Sequence, residues 1–446
     1  MKKSEKSILA VLVLNCCILC VGHAYSVFLL VAASLALFLL VFIRNGHRLF
    51  VPIALLHIPF AQLLRFDANS FSFFSLGIIL LFLWEICFRS NRLHHLPKKL
   101  VAAIAGLCLY IVVVGFFRGL IPNISMIMTL CQIIMIPLIA YHCRKKVNFR
   151  VSVYYFVTGV ILACILSLVF QNYPNMKQFV EVDKTDVTDA IRICGFTGDG
   201  NRMAAQTLAA MCAVMVLQMI DKGKNLIRYV LLLGCLCLCG ALTVSKMFLL
   251  EAVFLILLWL LVFFSQRGLF PQKMGMVISI CIVVFAVISS GILDTQIDIY
   301  IRRFNLATDA SGFTTGRTDI WRTYWNYLLQ ELDVLLIGNG WMAQYLFFAE
   351  QNRIVAPHSI VFELLYRLGI IGSVLLIVWM ATTCRSGLPA GFNQRSVPAI
   401  VRIILAVGLF APWLAIPAID FDEFFFFPLL AMYALFDYAE TRGRIL

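Results

Sequence analysis

The chain has 446 residues, of which 62% are hydrophobic and 13% are charged. Soluble domains carry about 25% charged residues, so this composition excludes a soluble enzyme and favours an integral membrane protein. One bilayer crossing needs about 20 apolar residues, so the chain is long enough for a dozen or more crossings. The formal charge of +13 is spread thinly between apolar runs, a spacing that argues against nucleic-acid binding.

Apolar windows predict an all-α, polytopic membrane protein with about 12–14 transmembrane helices. The basic start Lys2–Lys6 resembles the beginning of a signal peptide, but a second apolar run follows the first at once, which predicts an uncleaved signal anchor. We expect spans at 8–22, 26–43, 50–64, 71–88, 101–117, 122–141, 151–170, 202–220, 226–243, 247–264, 274–292, 359–382, 397–415 and 424–438.

The basic residues predict the orientation of these spans. Alternate connections carry 22 lysines and arginines, whereas the short connections on the other side carry Arg65, Arg118 and Lys246. The positive-inside rule therefore places the N-terminus in the cytoplasm and two long connections in the periplasm. The predicted organisation is 1–170 for the N-terminal transmembrane helices, 171–201 for the first periplasmic loop, 202–292 for the central helices, 293–358 for the large periplasmic loop and 359–446 for the C-terminal helices.

The large periplasmic loop contains an amphipathic helix. Its apolar residues recur at helical spacing, at Trp321, Tyr324, Trp325, Leu328, Leu329 and Leu332. Arg322 falls on the opposite, polar face, Thr318 or Asp319 is placed to cap the start, and the glycine pair in 338–340 is placed to end the helix. Such a helix suits the membrane interface.

His358 is the first candidate for chemistry. It follows Pro357 and directly precedes an apolar span, so it lies at the outer mouth of a helix. A neutral imidazole there can accept a proton from a hydroxyl near physiological pH. The alternative is a polar interface residue beside a proline turn.

Basic residues at the outer face are candidates for anion binding. Gly316 and Arg317 stand just before the amphipathic helix, where unpaired N–H groups and a guanidinium fit phosphate oxygens. Arg192 and Asn201 flank a glycine-rich segment, and Lys246 separates two spans at the outer interface. Each also has a structural reading: a turn with a solvated charge, a flexible loop, or an anchor at the lipid headgroups. Within the following span, Glu363 and Arg367 are spaced to pair with each other.

Common cofactor motifs are absent from the sequence. It contains no HExxH, P-loop or GxSxG pattern. No metal or other cofactor is therefore expected.

Four segments together resemble the O-antigen ligase and polymerase family of bacterial inner-membrane proteins. In chain order they are 192–196 leading to Asn201; 242–246, which reads Leu-Thr-Val-Ser-Lys; Thr315-Gly316-Arg317 through Trp321 to Gly338-Asn339-Gly340; and His358-Ser359, nine residues, then Gly369-Ile370-Ile371-Gly372. The last resembles the ligase signature and is the most specific. Lys246 stands where relatives often have arginine, and Val374 where the signature commonly ends in threonine.

The resemblance implies transfer of a glycan from undecaprenyl diphosphate to the lipid A core, on the periplasmic side of the inner membrane and without a metal. It implies that His358 is the base, that Arg192 and Arg317 stabilise the charge of the leaving diphosphate, and that the sugar is transferred with inversion. Arg322, Lys246 and Asn201 are further candidates for binding the donor diphosphate. Membrane lipids surround the protein, and nucleic acid is not a partner.

Three alternatives stay open. A polymerase would extend another lipid-linked repeat instead of the lipid A core. A polysaccharide flippase would show paired halves with polar residues in corresponding positions, whereas the polar content here is concentrated in one outer loop. A non-catalytic assembly or export subunit would not need a histidine and arginines at one face.

Overall fold

The computed structural model describes residues 1–66, 71–89, 96–121, 123–146, 148–180, 192–221, 225–265, 270–291, 294–305, 314, 316–348, 352–388, 392, 397–419 and 421–441. We number the helices α1 Lys3–Ala24, α2 Phe28–His57, α3 Phe73–Arg89, α4 Lys98–Phe117, α5 Ile124–Cys143, α6 Phe149–Phe170, α7 Gly200–Ile220, α8 Leu226–Ala241, α9 Lys246–Ser265, α10 Phe270–Ser289, α11 Asp294–Asn305, α12 Arg317–Gln330, α13 Leu332–Ile337, α14 Ile360–Ser386, α15 Ala399–Phe410 and α16 Asp422–Thr441. Strands β1 Phe347–Phe348 and β2 Arg353–Ile354 form a small antiparallel hairpin.

The all-α membrane fold is confirmed. Every predicted span falls mainly on helical residues. Within the described part of the chain, eight helices are long and apolar enough to cross a membrane, and three further apolar helices are shorter.

Helix α2 covers nearly all of the predicted span 26–43 and the first half of the predicted span 50–64. Its backbone leaves the helical conformation at Leu49, where φ is −123° and ψ is 27°. Just before this bend, Arg48 forms a 3.0 Å ion pair with Glu5 at the start of α1. Beyond it, the carbonyl of Leu63 accepts a 3.0 Å hydrogen bond from His23 at the end of α1. The chain therefore turns back at Leu49 and runs the length of α1 twice, as two spans would.

Contacts between connections agree with the predicted alternation of sides. Arg150 and Asp221, both predicted to lie on the cytoplasmic side, form an ion pair, with Nη1 3.0 Å from Oδ2. Tyr25 and Tyr173, both predicted on the outer side, share a 3.0 Å hydrogen bond between their hydroxyl groups. We call the end of the bundle that contains the two tyrosines the outer end.

Helix α7 lies at the centre of the bundle, with its whole apolar window buried. It is surrounded by α6, α8, α9, α15 and α16. Near its outer end Arg202 donates to both carboxylate oxygens of Glu423 on α16, at 2.7 and 2.8 Å, and all of these groups are buried. Two buried opposite charges with matched hydrogen bonds fix α7 against α16, because separating them would leave a charge unpaired in an apolar interior.

The amphipathic helix is present but differs from the prediction in two respects. It begins at Arg317, after Gly316 in a left-handed conformation (φ 80°), so Thr318 and Asp319 are not its N-cap. The predicted apolar stripe also divides: Tyr324 and Leu328 are fully buried, whereas the side chains at 325, 329 and 332 are 45–59% exposed. A glutamate at 331 breaks the helix, and the short α13 continues to the glycine at 338. Tertiary contacts decide which part of the stripe is buried, and the spacing of apolar residues along the sequence carries no information about those contacts.

Glycines at close backbone contacts pack the large outer loop against α14. Gly338 and Gly369 both have positive φ, 75° and 61°, and approach each other's backbone closely. A Cβ on Gly369 would lie 2.5 Å from the carbonyl carbon of Leu336, and a Cβ on Gly372 would lie 2.3 Å from the ring of Tyr110 on α4. Only glycine leaves room for these approaches, so Gly369 and Gly372 of the signature are needed for the packing of α14 against its neighbours.

Candidate active site

A cavity of about 520 Å³ opens at the outer end of the bundle. Its volume lies in the range of small-molecule sites. The lining residues are Arg192, Asn201, Lys246, Met247, Leu250, Glu251, Thr314, Arg317, Ile320, Trp321, Arg353, Ile354, Val355, Ala356, His358 and Ala415. Five of the six predicted site residues are therefore brought together, from segments more than 160 positions apart in the chain.

Three helices begin at this cavity. Asn201 is the second residue of α7, Lys246 the first of α9 and Arg317 the first of α12, and each lines the cavity. The first N–H groups of a helix have no partners within it and carry the positive end of the helix dipole. The arrangement therefore favours an anion even before the side-chain charges are counted.

Arg192 is held by a hydrogen-bonded network. Its Nε donates to the carbonyl of Thr243 at 3.1 Å, and its Nη2 donates to Oδ1 of Asn201 at 3.3 Å. The hydroxyl of Ser245 donates to the same Asn201 oxygen at 2.9 Å. Gly200 leaves the space that the guanidinium occupies, since a Cβ there would lie 3.0 Å from Nη2. The guanidinium is thus fixed in place, while part of it still lines the cavity.

Arg317 enters the cavity from the start of α12. Gly316 supplies the left-handed turn before it, and Thr314 closes the turn by accepting a 3.3 Å hydrogen bond from the N–H of Thr318. Burial and the charge of Arg192 lower the pKa of Arg317, while Asp199 acts in the opposite direction. Arginine remains charged under all ordinary conditions, so these influences show two like charges held close together. A bound anion would relieve that repulsion.

His358 lies in the segment between the β-hairpin and α14. Its backbone is left-handed, with φ 47°, a conformation that histidine adopts more readily than bulky residues do. The preceding carbonyl, that of Pro357, accepts a 2.9 Å hydrogen bond from Nε1 of Trp321 on α12. Because Trp321 also lines the cavity, this bond ties the position of His358 to the amphipathic helix.

The surroundings of His358 favour its neutral form. Burial lowers the pKa of the imidazole, the charges of Arg317 and Arg353 lower it further, and Asp199 raises it. The ordinary pKa is about 6.5, so the ring is mostly unprotonated at neutral pH. A neutral ring can accept a proton, as a general base must.

Arg322 is the predicted site residue that the structure does not bring to the cavity. It lies five residues beyond Arg317 on α12, a rotation of about 140° around the helix. Its side chain is 76% exposed and lies 3.9 Å from Asp319. The sequence pattern had already placed Arg322 on the polar face of the helix, and that face points away from the cavity.

Sequence reasoning missed two charged residues of the cavity. Arg353 comes from strand β2, and no spacing rule relates that position to His358. Glu251 comes from α9, five residues beyond Lys246. A signal for Glu251 existed, since a carboxylate within a membrane span is a candidate for function by default.

The predicted Glu363–Arg367 pair forms on α14, at 3.7 Å between Oε1 and Nη1. Glu363 also accepts hydrogen bonds from the hydroxyl of Tyr345 at 2.8 Å and the N–H of Ala418 at 3.0 Å. Neither charged residue lines the cavity. Glu363 therefore connects the loop before β1, helix α14 and the segment before α16.

The fold and the site together define a polytopic helical membrane protein with a cationic cavity at one end of its bundle. Residues 229–377 match the family model described as O-Antigen ligase, which confirms the predicted resemblance and identifies this part of the chain as an O-antigen ligase-type region. Members of this family are glycosyltransferase-like enzymes that act in general on lipid-linked glycans. The match includes Lys246, Arg317 and His358, whereas Arg192 and Asn201 precede it. A search of curated proteins found no match.

Proposed function

We propose that the protein is an O-antigen ligase that transfers a glycan from undecaprenyl diphosphate to the lipid A core, at the periplasmic face of the bacterial inner membrane. The observation that carries the proposal is the convergence of His358 with Arg192, Arg317 and Lys246 in one cavity. The orientation follows from the positive-inside rule, which assigns the outer end of the bundle to the periplasm.

The cationic side of the cavity suits the diphosphate. This side of the cavity is lined by three helix N-termini and by the charges of Arg192, Lys246 and Arg317. These groups stabilise negative charge, and that charge grows on the diphosphate as its bond to the anomeric carbon breaks. Donors fixed before the reaction need no reorganisation during it, and the hydrogen bonds of Arg192 fix that guanidinium in advance.

His358 completes the reaction as the base. Its neutral imidazole takes the proton of the acceptor hydroxyl, and the oxygen attacks the anomeric carbon from the face opposite the diphosphate. One carbon–oxygen bond forms as the other breaks, the diphosphate leaves with the bonding electrons, and the configuration at the anomeric carbon is inverted. The residues in this scheme require neither a nucleotide sugar nor a metal ion.

The test is reconstitution of the purified protein with a lipid-linked glycan and one acceptor at a time. A ligase extends lipid A core, whereas a polymerase, the alternative within the family, extends a second lipid-linked repeat. The His358 signature favours the ligase. Extension of neither acceptor would refute the proposal.

The same assay separates chemistry from structure at His358. His358→Gln keeps much of the size and hydrogen bonding of the side chain but cannot act as a base near neutral pH. Loss of a general base costs about 100-fold to 10,000-fold in rate, so we expect this variant to insert and bind donor but not to transfer. Near-normal transfer by His358→Gln would remove the residue from the mechanism.

A further inference from the structure

The cavity has a carboxylate on one wall that the mechanism does not use. Helix α9 presents Lys246, Met247, Leu250 and Glu251 to the cavity, which is one face of the helix at i, i+1, i+4 and i+5. Glu251 lies about 7.5 Å further along the helix axis than Lys246, at 1.5 Å per residue. It therefore lies deeper in the bundle than the first cation of the same helix.

One buried oxygen of Glu251 has no hydrogen-bond donor within the described part of the chain. Its Oε2 is buried and accepts no hydrogen bond from any residue that the structure describes. A buried carboxyl oxygen without a donor is costly, and the cost is larger in an apolar span. Glu363, another carboxylate at this end of the bundle, shows the contrast, because both of its oxygens accept hydrogen bonds from the protein. Glu363 thus has the contacts of a structural residue, and Glu251 does not.

The charges of the cavity restrict what Glu251 can bind. Arg192, Lys246, Arg317 and Arg353 supply the positive charge that suits the diphosphate. Glu251 adds a buried oxygen that can accept a hydrogen bond, which suits a donor group without negative charge. Among the parts of a lipid-linked glycan and its acceptor, ring hydroxyls and acetamido N–H groups fit this description.

We propose that Glu251 is a sugar-binding residue whose carboxyl group accepts a hydrogen bond from a ring hydroxyl or acetamido N–H of a sugar in the cavity. The proposal rests on the proposed function and assigns a second role to the same site: the cations hold the diphosphate, and Glu251 orients a sugar. The sugar belongs either to the donor or to the acceptor, and the experiment distinguishes the two.

The experiment measures ligand-induced shifts in Tm of the full-length protein in lipid nanodiscs. The probes are undecaprenyl diphosphate, the same lipid carrying its glycan, and the acceptor glycan alone. In the wild type we expect the sugar-bearing donor to raise Tm more than the bare lipid diphosphate. Glu251→Met, which keeps the volume but accepts no such bond, should lose that difference if Glu251 contacts the donor sugar. If it contacts the acceptor, the shift caused by the acceptor glycan should be lost instead.

Glu251→Gln and Glu363→Met are the matched variants. Glu251→Gln keeps an acceptor oxygen, so its shifts should lie between those of the wild type and Glu251→Met. Without ligand, Glu251→Met should have a Tm equal to or above the wild-type value, because it removes a buried oxygen to which no described residue donates. Glu363→Met should lower Tm, because it leaves the donors of Tyr345 and Ala418 unpaired.

Two outcomes would overturn the proposal. One is a set of ligand-induced shifts in Glu251→Met that equal those of the wild type for every probe. The other is a loss of Tm without ligand as large as that of Glu363→Met, which would make Glu251 structural. Failure of the proposed function would look different, since the wild type would then transfer glycan to no acceptor while these shifts could still be measured.

Discussion

Helix α12 offers a matched pair of arginines for testing the anion site. Arg317 lines the cavity, whereas Arg322 lies on the same helix with its side chain 76% exposed and outside the cavity. The same substitution, arginine to lysine, keeps the charge at each position and removes only the planar fork that can engage two oxygens. The two variants therefore share every general effect on the helix and differ in access to the cavity.

The expected size of the effect follows from the number of bonds lost. A hydrogen bond to a charged group contributes about 1.5–3 kcal/mol, and about 1.4 kcal/mol corresponds to a tenfold change. If Arg317→Lys loses one of two bonds to the diphosphate, kcat/KM should fall about 10-fold to 150-fold. Arg322→Lys touches solvent and one neighbouring carboxylate, so its kcat/KM should stay within about twofold of the wild-type value.

The assay compares initial rates of glycan transfer by both purified variants in nanodiscs, after equal insertion has been verified by size-exclusion chromatography. If Arg317→Lys is as active as the wild type, the guanidinium does not engage the donor and the proposed anion site is refuted. The site is also refuted if the two variants lose activity equally, because the loss would then come from the helix surface rather than the cavity.

Three further predictions concern other parts of the molecule. Burial and the charges of Arg317 and Arg353 lower the pKa of His358, so the transfer rate should decline with falling pH only below about pH 6.5. Arg353→Met removes one of the positive charges that lower this pKa, so its pH–rate profile should show the decline beginning at a higher pH. Gly369→Ala should lower both Tm and activity, because a left-handed backbone costs a non-glycine residue about 1–3 kcal/mol and the new Cβ would lie 2.5 Å from the backbone of Leu336. The control Gly106→Ala should leave both unchanged, because its Cβ would have no atom within 4 Å. Reporter fusions at 180 and 345 should be active in the periplasm and those at 146 and 270 in the cytoplasm; a cytoplasmic signal from 345 would contradict the mechanism.

The spans were predictable because hydropathy is a local property. A run of apolar residues long enough to cross the bilayer must satisfy its own backbone, and a helix is the only way for a single segment to do so. Hydropathy alone does not determine the helix boundaries near the bend at Leu49. Helix α2 joins parts of two predicted spans across this bend, and the contacts of Arg48 and Leu63 with opposite ends of α1 indicate two crossings.

The site was predictable in part because its residues belong to motifs with chemical reasons. Glycine before an arginine at a helix start, and a histidine at the mouth of a span, are local patterns that suggest anion binding and proton transfer. Arg353 has no such pattern, since its place beside the cavity depends on the β-hairpin returning across α12. The burial of Tyr324 and the exposure of Trp325 are equally non-local, because both lie on the same predicted stripe.

The charge of the cavity is a property of the folded bundle and not of any segment. The connection 293–357 holds five basic and seven acidic residues, and 171–201 holds three basic and five acidic residues. Yet among the described residues the cavity is lined by four basic side chains and one acidic side chain, and each cation comes from a different element: the segment before α7, α9, α12 and β2. Attraction of an anion therefore depends on short-range focusing where these elements meet, beside three helix N-termini. An anion site of this kind forms only when the segments at the outer end of the bundle pack together. The packing at Gly338 and Gly369 is therefore as necessary to the site as the arginines are.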